Sequence, residues 1–552
     1  MRTPLFNRHR SRKAISTGCL IPPAIGGRST MARMSLRPRG RRPREACGDD
    51  RLSALPDDLL LLVLRRLDTR AALATGMLSR RWTNLPHELD ALDFRVSDIL
   101  PPRYHRCILR HRGVMNWIAY RHAIPNSLMP AIRRHERRAA RALVRSVESF
   151  IDADDGRPSR RKVSRLRLEF FGTHNTAGIN RLISKAIDDW GVEELEAVGK
   201  PMYWRQPPTH EFPSHGLCKD PRASRLRTLT LGGCVLPPLH EYGGVTKLVL
   251  HGMAASTPAE AYEGVFTSCP QLQVLHLESC FLDRRKSLVV DAPISEIREL
   301  VVDACDIISV KLRSLPRLQN LASMGTQVLF DRRTSSSSFP CLRQWHLACL
   351  YGLARKFSRW LEPDLTLDRF FHYTLDITDL IVRFTGPERW IVPSSCSPSP
   401  PLLRSLRRLL VADVPSSWDA SWPRILLDAA PSLKTLHIHI APRDAKKPTG
   451  GEFSWHHPTV PLHNYRLEEF AMAGFGGTVS QVYFVKLVVG ACTALRHVSI
   501  FKGGDLKYKG NWDWEMPRLQ ENSWNDKEKE TMEKQIMDAV SCSTDHLQIV
   551  LG

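Results

Sequence analysis

No two cysteines of this chain stand in a C-x-x-C arrangement, although it has 13 of them. Scattered singly and odd in number, they exclude a paired zinc-finger spacing and read as thiols of a reduced intracellular protein, not as a disulfide framework. The chain also has no N-x-[ST] acceptor. No apolar run approaches the roughly 18 residues of a membrane span, and the short stretch CLIPPAIGG (19–27) is broken by prolines. Neither secretion nor membrane insertion is expected.

The motifs of enzymes are missing as well. HEL, HER, HEF and HEY all occur, but none has a second His four residues after the first, so the zinc-protease helix is absent. There is no G-x-x-x-x-G-K-[ST] phosphate loop and no G-x-S-x-G elbow. GFGG (474–477) lacks the strand-to-helix spacing of a dinucleotide site and reads as a repeat turn. His437 and His439 in LHIHI alternate as metal chelators would, yet they read as exposed residues between the core-facing Leu436, Ile438 and Ile440. WHHP (455–458) reads as loop, and Cys269 and Cys280 bracket a repeat as buried small residues would. No catalytic residue, metal ligand or cofactor is expected.

What is abundant is positive charge. Against 57 acids stand 79 lysines and arginines, a formal net charge of +22. Much of it lies in the first 47 residues, whose only acid is Glu45, and between Arg103 and Arg145. Such an excess draws a chain toward nucleic acid, acidic membranes or acidic proteins. Neither segment carries paired-cysteine zinc spacing, aromatic stacking motifs or a basic region followed by heptads, so nucleic acid is not the expected partner. The leader suits an organelle transit peptide, and RPRGRRPR (37–44) suits a nuclear import signal equally well. It also fits an uninformative disordered leader. In the second segment Ala140, Leu143, Val144, Val147 and Phe150 recur at helical spacing, which predicts an amphipathic connector with a solvated basic face.

Between these segments LPDDLLLLVLRRL (55–67) sets four leucines in a row. At about 100° per residue Leu59, Val63, Leu67, Leu60 and Leu64 fill one wide apolar stripe, while Leu61 and Leu62 fall among Asp58, Arg65 and Arg66. Pro56, Asp57 and Asp58 suit the first turn, Asp68 or Thr69 can cap a second helix, and SRRWTNLPHEL (79–89) supplies a third. Three short helices cannot bury this much leucine alone, so a partner surface is needed. The stretch DRLSALPDDLLLLVLRRLDTRAALATGMLSRRWTNL (50–85) resembles an F-box: Leu55-Pro56-Asp57 opens the first helix, and Ser79-Arg80-Arg81-Trp82 is typical of plant members. The resemblance implies docking onto the Skp-type adaptor of a cullin-RING ubiquitin ligase through Leu55, Pro56, Asp57, Leu59, Leu60, Leu64, Leu73 and Trp82. It also implies a nuclear or cytoplasmic protein that is not itself an enzyme. In that reading Leu59, Val63 and Leu67 pack on their own helices or the adaptor, and Leu61 and Leu62 call for an outside contact.

Beyond residue 160 a pattern, apolar-x-x-apolar-x-apolar, recurs at 163, 226, 245, 272, 297, 342, 377, 406, 433, 467 and 495, with weaker copies at 192 and 318. Most spacings fall near 19–35 residues, the scale of leucine-rich repeats. Each copy predicts one short strand, and several are preceded by an amphipathic helical run, as in QVYFVKLVVGACTALRHVSI. The expected fold is α/β: a three-helix F-box, then an irregular leucine-rich-repeat solenoid or horseshoe whose open face binds a target protein. The repeats from residue 405 to 505 resemble the FBD-type region of plant F-box/leucine-rich-repeat proteins, and SSCSPSPP (394–401) reads as an exposed loop or boundary before them. The expected division is a basic leader (1–47), an F-box (48–90), a basic helical connector (91–158), repeats (159–505) and a charged tail with a possible terminal helix (506–552). The alternatives are a repeat scaffold that no longer engages a ligase and a basic nucleic-acid-associated protein.

Overall fold

The computed structural model describes residues 55–109, 129–155, 162–172, 176–201, 209–282, 287–331, 338–349, 365–366, 376–384, 391–392, 403–416, 423–441, 466–517, 524–538 and 547–552. The expected leader, WHHP and SSCSPSPP lie outside these residues. The chain divides into two units, Met1–Leu55 and Pro56–Gly552, and the second contains every described helix and strand.

The dominant element of that unit is one sheet of 15 strands, each hydrogen-bonded to its neighbours in sequence order apart from the short strands set aside in smaller sheets. Every pairing within it is parallel. All thirteen copies of the repeat pattern form strands of this sheet. Two more close its ends: Ala91–Arg95 at the front, which carries the same pattern as Leu89, Leu92 and Phe94, and Gln548–Leu551 at the back, which lacks the leading apolar residue. That leading residue, as in Leu226, Leu272, Ile297, Leu406 and Leu433, is buried in the turn before each strand. The other two apolar positions alternate into the core, so the period of two within the strand decides which face is inside.

Just before each repeat strand a single carbonyl of the preceding repeat accepts two amide protons. Arg227 O takes Thr246 N at 2.9 Å and Lys247 N at 3.0 Å, and Arg407 O takes Lys434 N and Thr435 N at 2.9 and 3.0 Å. This rim ladder runs from Asp90 through Ser164 and Lys434 to Glu468, so the starts of the repeat strands are satisfied by their neighbours. On the buried face, helices Ala177–Asp188, Ala259–Ser268, Arg424–Ala429 and Val479–Ala491 cover parts of the sheet. Elsewhere a three-stranded parallel sheet of Leu288–Asp291, Val310–Ser314 and Val328–Phe330 does so instead. One hydrophobic cluster extends between the layers from Leu92 to Leu551.

Cysteines take part in that interior. Cys280 Sγ donates to Leu250 O at 3.2 Å and Cys305 Sγ to Leu277 O at 3.3 Å, each satisfying a carbonyl of the preceding repeat. Cys269 is buried too, and burial pushes its thiol up to about 11, so Cys269 and Cys280 are the buried small residues their spacing indicates.

The helix expected in the arginine-rich stretch spans Met129–Asp155. It buries Ile132, Ala139, Leu143, Val147, Phe150 and Ile151, and Phe150 stands edge-on to Phe94 and Trp190. It therefore caps the first strands of the core, which is more than connecting two parts; its arginines 133, 134, 137, 138, 141 and 145 face solvent. GFGG forms a turn, with Gly474 and Gly477 at φ +74° and +68°, leading into a helix capped by Thr478 and Gln481. The tail contains the terminal helix, Asp526–Met537. None of the described helices is long and apolar enough to cross a membrane.

Close approach between repeats leaves no room for a side chain at Gly233 or Gly474. Gly233 has φ +54°, and a Cβ there would overlap the Gly199 carbonyl oxygen, whereas nothing surrounds Gly243 within 4 Å. Gly233→Ala is expected to lower stability by about 3 kcal/mol and Gly243→Ala by less than about 0.5 kcal/mol, measured as denaturation midpoints. Equal effects would contradict the packing described.

Candidate functional site

Two surfaces gather the chemically distinctive residues. The first is the helical unit at 56–89. Helix α1, Asp57–Leu64, starts after Pro56, and α2, Thr69–Ala74, is capped by Asp68, whose carboxylate accepts Ala71 N at 2.7 Å. Helix α3, Arg80–Asn84, is capped by Ser79, and Arg81 reaches back to Asp57 at 2.6 Å, an exposed pair worth less than about 1 kcal/mol. Thr69 does not cap; its hydroxyl accepts Asp93 N at 2.5 Å and so ties α2 to the first strand of the sheet.

Burial divides the leucine stripe in two. Leu60 and Leu64 are fully buried, with Trp82, Leu85 and Leu89 also inside. Leu59 (45 %), Leu62 (53 %), Val63 (42 %) and Leu67 (41 %) are exposed, as are Met77 (93 %) and Leu78 (69 %) in the turn after α2. Half of the strongly exposed large apolar side chains among the described residues thus fall between Leu59 and Leu78, which marks a surface awaiting a partner. Of the residues implied as adaptor contacts, Pro56, Asp57 and Leu59 are exposed, and Leu55 and Leu73 are half-buried. Leu60, Leu64 and Trp82 belong to the interior. The helical wheel places Leu59, Val63 and Leu67 together, as observed, but their own helices do not cover them. It also pairs Leu62 with Leu61, whereas Leu61 is half-buried and Leu62 extends the exposed arc.

The second surface is the outer face of the sheet. Register places Asp93, Arg167, Glu196, Thr230, Val249, His276, Val301, Ala322, His346, Ile381, Leu410, His437, Ala471, Ser499 and Val550 in one row across all strands. Its early part is charged and accessible. Arg165–Glu194 and Arg167–Glu196 pair at 2.6 Å, and Lys200–Glu169 at 2.7 Å. Further along, His276 Nε2 lies 2.7 Å from Glu299, with Glu278 reaching both His276 and His251. Burial opposes charge on His276, but its bonds to Glu278 and Glu299 outweigh that and raise its pKa. His251 and His276 together hold Glu278 down to about 2.

The later part of the face is covered by the charged tail. Lys507–Lys509 and Asp513–Glu515 form an antiparallel hairpin. Trp514, Leu506, Tyr508 and Met516 pack on Ile381, Leu410 and Ala412. Trp514 Nε1 donates to His437 Nδ1 at 2.8 Å, leaving His437 Nε2 to donate to Glu469 at 3.0 Å. Arg408 lies 4.6 Å from the centre of the Trp514 ring and pairs with Asp379 and Asp513, while Arg383 lies over Tyr508 at 4.4 Å. His346 Nδ1 donates to Asn511 O at 2.9 Å, and burial lowers its pKa to about 4. His437 and His439, expected in the open, are therefore enclosed: the hairpin covers the first, and the second sits against Asp413 at 3.2 Å. Nothing in the local alternation of LHIHI encodes a cover that comes from 77 residues away.

Comparison with known proteins decides the nature of the first surface. A model of the F-box domain matches residues 52–89. The chain carries an F-box. A putative F-box protein of Arabidopsis thaliana is 23 % identical over 288 residues, 51 % of this chain and 53 % of that one. A putative F-box/LRR-repeat protein of the same plant is 26 % identical over 276 residues, 50 % of this chain and 46 % of its own. A putative F-box/FBD/LRR-repeat protein, also from Arabidopsis, is 40 % identical over 63 residues, 11 % of this chain and 14 % of its own. The chain thus spans about half the length of the two relatives it matches broadly, and it resembles plant F-box/leucine-rich-repeat proteins. The exposed Leu59–Val63 arc and Met77–Leu78 lie within the F-box.

Two outcomes test the sheet face. Trp514→Ala removes the side chain that anchors the hairpin, a change of about 3–5 kcal/mol at a buried tryptophan; amides 506–516 should lose exchange protection while strand Thr228–Gly232 keeps it. In imidazole C2 exchange, His276 should titrate above the ordinary 6.5 and His346 near 4. The raised His276 pKa contributes stability below pH 6.5 that is lost as pH rises through it, and the lowered Glu278 pKa contributes stability above pH 4.5 that is lost as pH falls toward about 2. Identical titration of the two histidines would refute this arrangement.

Proposed function

We propose that this protein is the substrate-recognition subunit of an SCF-type ubiquitin ligase, acting in the nucleus or cytoplasm. The observation that carries the reading is the F-box with its uncovered apolar arc, Leu59, Leu62, Val63 and Leu67. A Skp-type adaptor docks there, and through it the cullin-RING assembly. The parallel sheet is read as a leucine-rich-repeat solenoid, and its repeats between 405 and 505 as an FBD-type region. The outer face between Arg165 and Glu278, which the hairpin leaves accessible, holds the target protein. The chain then works by proximity: a lysine of the target, held beside an activated thioester, reacts at a raised effective concentration, and this chain performs no bond chemistry.

Leu60 is unsuited to testing the interface, because a carboxylate there lands in the chain's own interior and disrupts the F-box fold. Leu62→Asp instead places a charge on the exposed arc. Retention of a purified Skp-type adaptor should fall about 100-fold, the equivalent of roughly 3 kcal/mol, with an unchanged thermal midpoint. A wild-type chain that retains no adaptor would leave a non-ligase repeat scaffold as the better reading.

A further inference from the structure

The helix Met129–Asp155 has two faces in opposite surroundings. Ile132, Ala139, Leu143, Val147 and Phe150 are buried on the side of the first strands, so the helix is held in place along its length. The opposite face carries Arg134, Arg138, Arg141 and Arg145, all exposed. At about 100° and 1.5 Å per residue these four positions fall within roughly 60° of one another and make a straight row about 16 Å long.

The row has no acid of its own. Among the described residues no carboxylate lies within ion-pair distance of any of the four, and Arg145 Nε donates instead to the neutral carbonyl of Arg141 at 3.3 Å. The two acids that continue the same face are turned toward the next helix: Glu148 lies against Gly178, and Asp152 pairs with Arg181 at 3.7 Å. On the sheet face, by contrast, Arg165 and Arg167 each meet a glutamate at 2.6 Å. Like charges three and four residues apart oppose the helix that carries them, a cost that an anionic partner reverses.

The spacing of the row selects the partner. Arg134 and Arg141, and likewise Arg138 and Arg145, stand seven residues apart, in a 4-3-4 sequence of steps. Seven residues is the period at which side chains of a second helix lying alongside stay in register with the first. Ala131, Ala142 and Ser149 flank the row on one side, so a neighbouring backbone can come close there. Guanidinium forks match carboxylates two oxygens at a time, and a fixed row of them acts as a network rather than as isolated surface pairs. The flank has no aromatic ring of the kind on which the bases of single-stranded nucleic acid stack.

We propose that this row is a docking surface for an acidic helical segment of a partner protein, with carboxylates repeating at the same 4-3 spacing. The surface lies apart from the exposed leucine arc and does not depend on the F-box reading; it stands or falls separately from adaptor binding.

Fluorescence anisotropy with the full chain at low ionic strength tests it, using three labelled probes: a helix-forming peptide whose glutamates repeat at 4-3 spacing, an isomer with the same glutamates spread around the helix, and a random-sequence DNA duplex. The patterned peptide should bind at least tenfold more tightly than its isomer. The double substitution Arg138→Gln and Arg141→Gln changes two exposed side chains, so the thermal midpoint should hold while affinity for the patterned peptide falls at least tenfold. Lys527→Gln and Lys534→Gln, which remove the same charge from the exposed side of the terminal helix, should leave affinity unchanged. Reversal by Arg138→Glu and Arg141→Glu should abolish binding of the patterned peptide, and a peptide with lysines at the two facing positions should restore it. Equal affinity for the two isomers, equal loss in the two glutamine pairs, or no binding of the patterned peptide would overturn the proposal. So would tighter binding of the duplex that is lost with Arg138→Gln and Arg141→Gln, which assigns the row to nucleic-acid backbone.

Discussion

The shared carbonyl at the start of each repeat strand is the interaction on which the rest of this molecule depends. By accepting two amide protons from the next repeat it fixes the register of neighbouring strands, and register in turn fixes which face every side chain occupies. A slip of one residue at any step would exchange the core leucines for the charged row. Loops between strands vary widely in length, and some connections use a helix where others use a short strand. The sheet tolerates this because each repeat needs only its neighbour's rim and a covering layer of some kind.

At its front edge the same logic joins the helical unit to the sheet without a linker. Strand Ala91–Arg95 begins two residues after the last buried leucine of the F-box, and its Asp93 amide is held by Thr69. Arg65 also approaches Asp90 at 3.4 Å. The capping helix Met129–Asp155 then seals the first strands, so the end of the core is closed by a segment whose outward side is rich in arginine.

Much of this architecture was legible from residue order. Thirteen strands announced themselves because a buried turn residue followed by strict alternation is a local signal. Of the two end strands, Ala91–Arg95 carries the pattern as Leu89, Leu92 and Phe94 but stands at the edge of the F-box, far before the other copies, and Gln548–Leu551 lacks the leading apolar residue. The wheel likewise gave the width of the leucine arc but not its division, because covering Leu60 and Leu64 rather than Leu59 and Val63 is decided by where Trp82 and Leu85 arrive. Least visible was the hairpin: Trp512 and Trp514 sit in a charged stretch without periodicity, and their partners Glu299 and His437 lie 213 and 77 residues back.

The hairpin also orders events in time. Its anchors extend from Glu299 to His437, so no part of its seat exists until those strands are already in register. During synthesis it emerges after every strand it covers, and it meets a surface already laid down. Until then Ile381, Leu410 and Ala412 stand open to water. A chain halted before residue 507 therefore carries most of the sheet with an uncovered apolar patch, the kind of feature chaperones and proteases read as an unfinished protein.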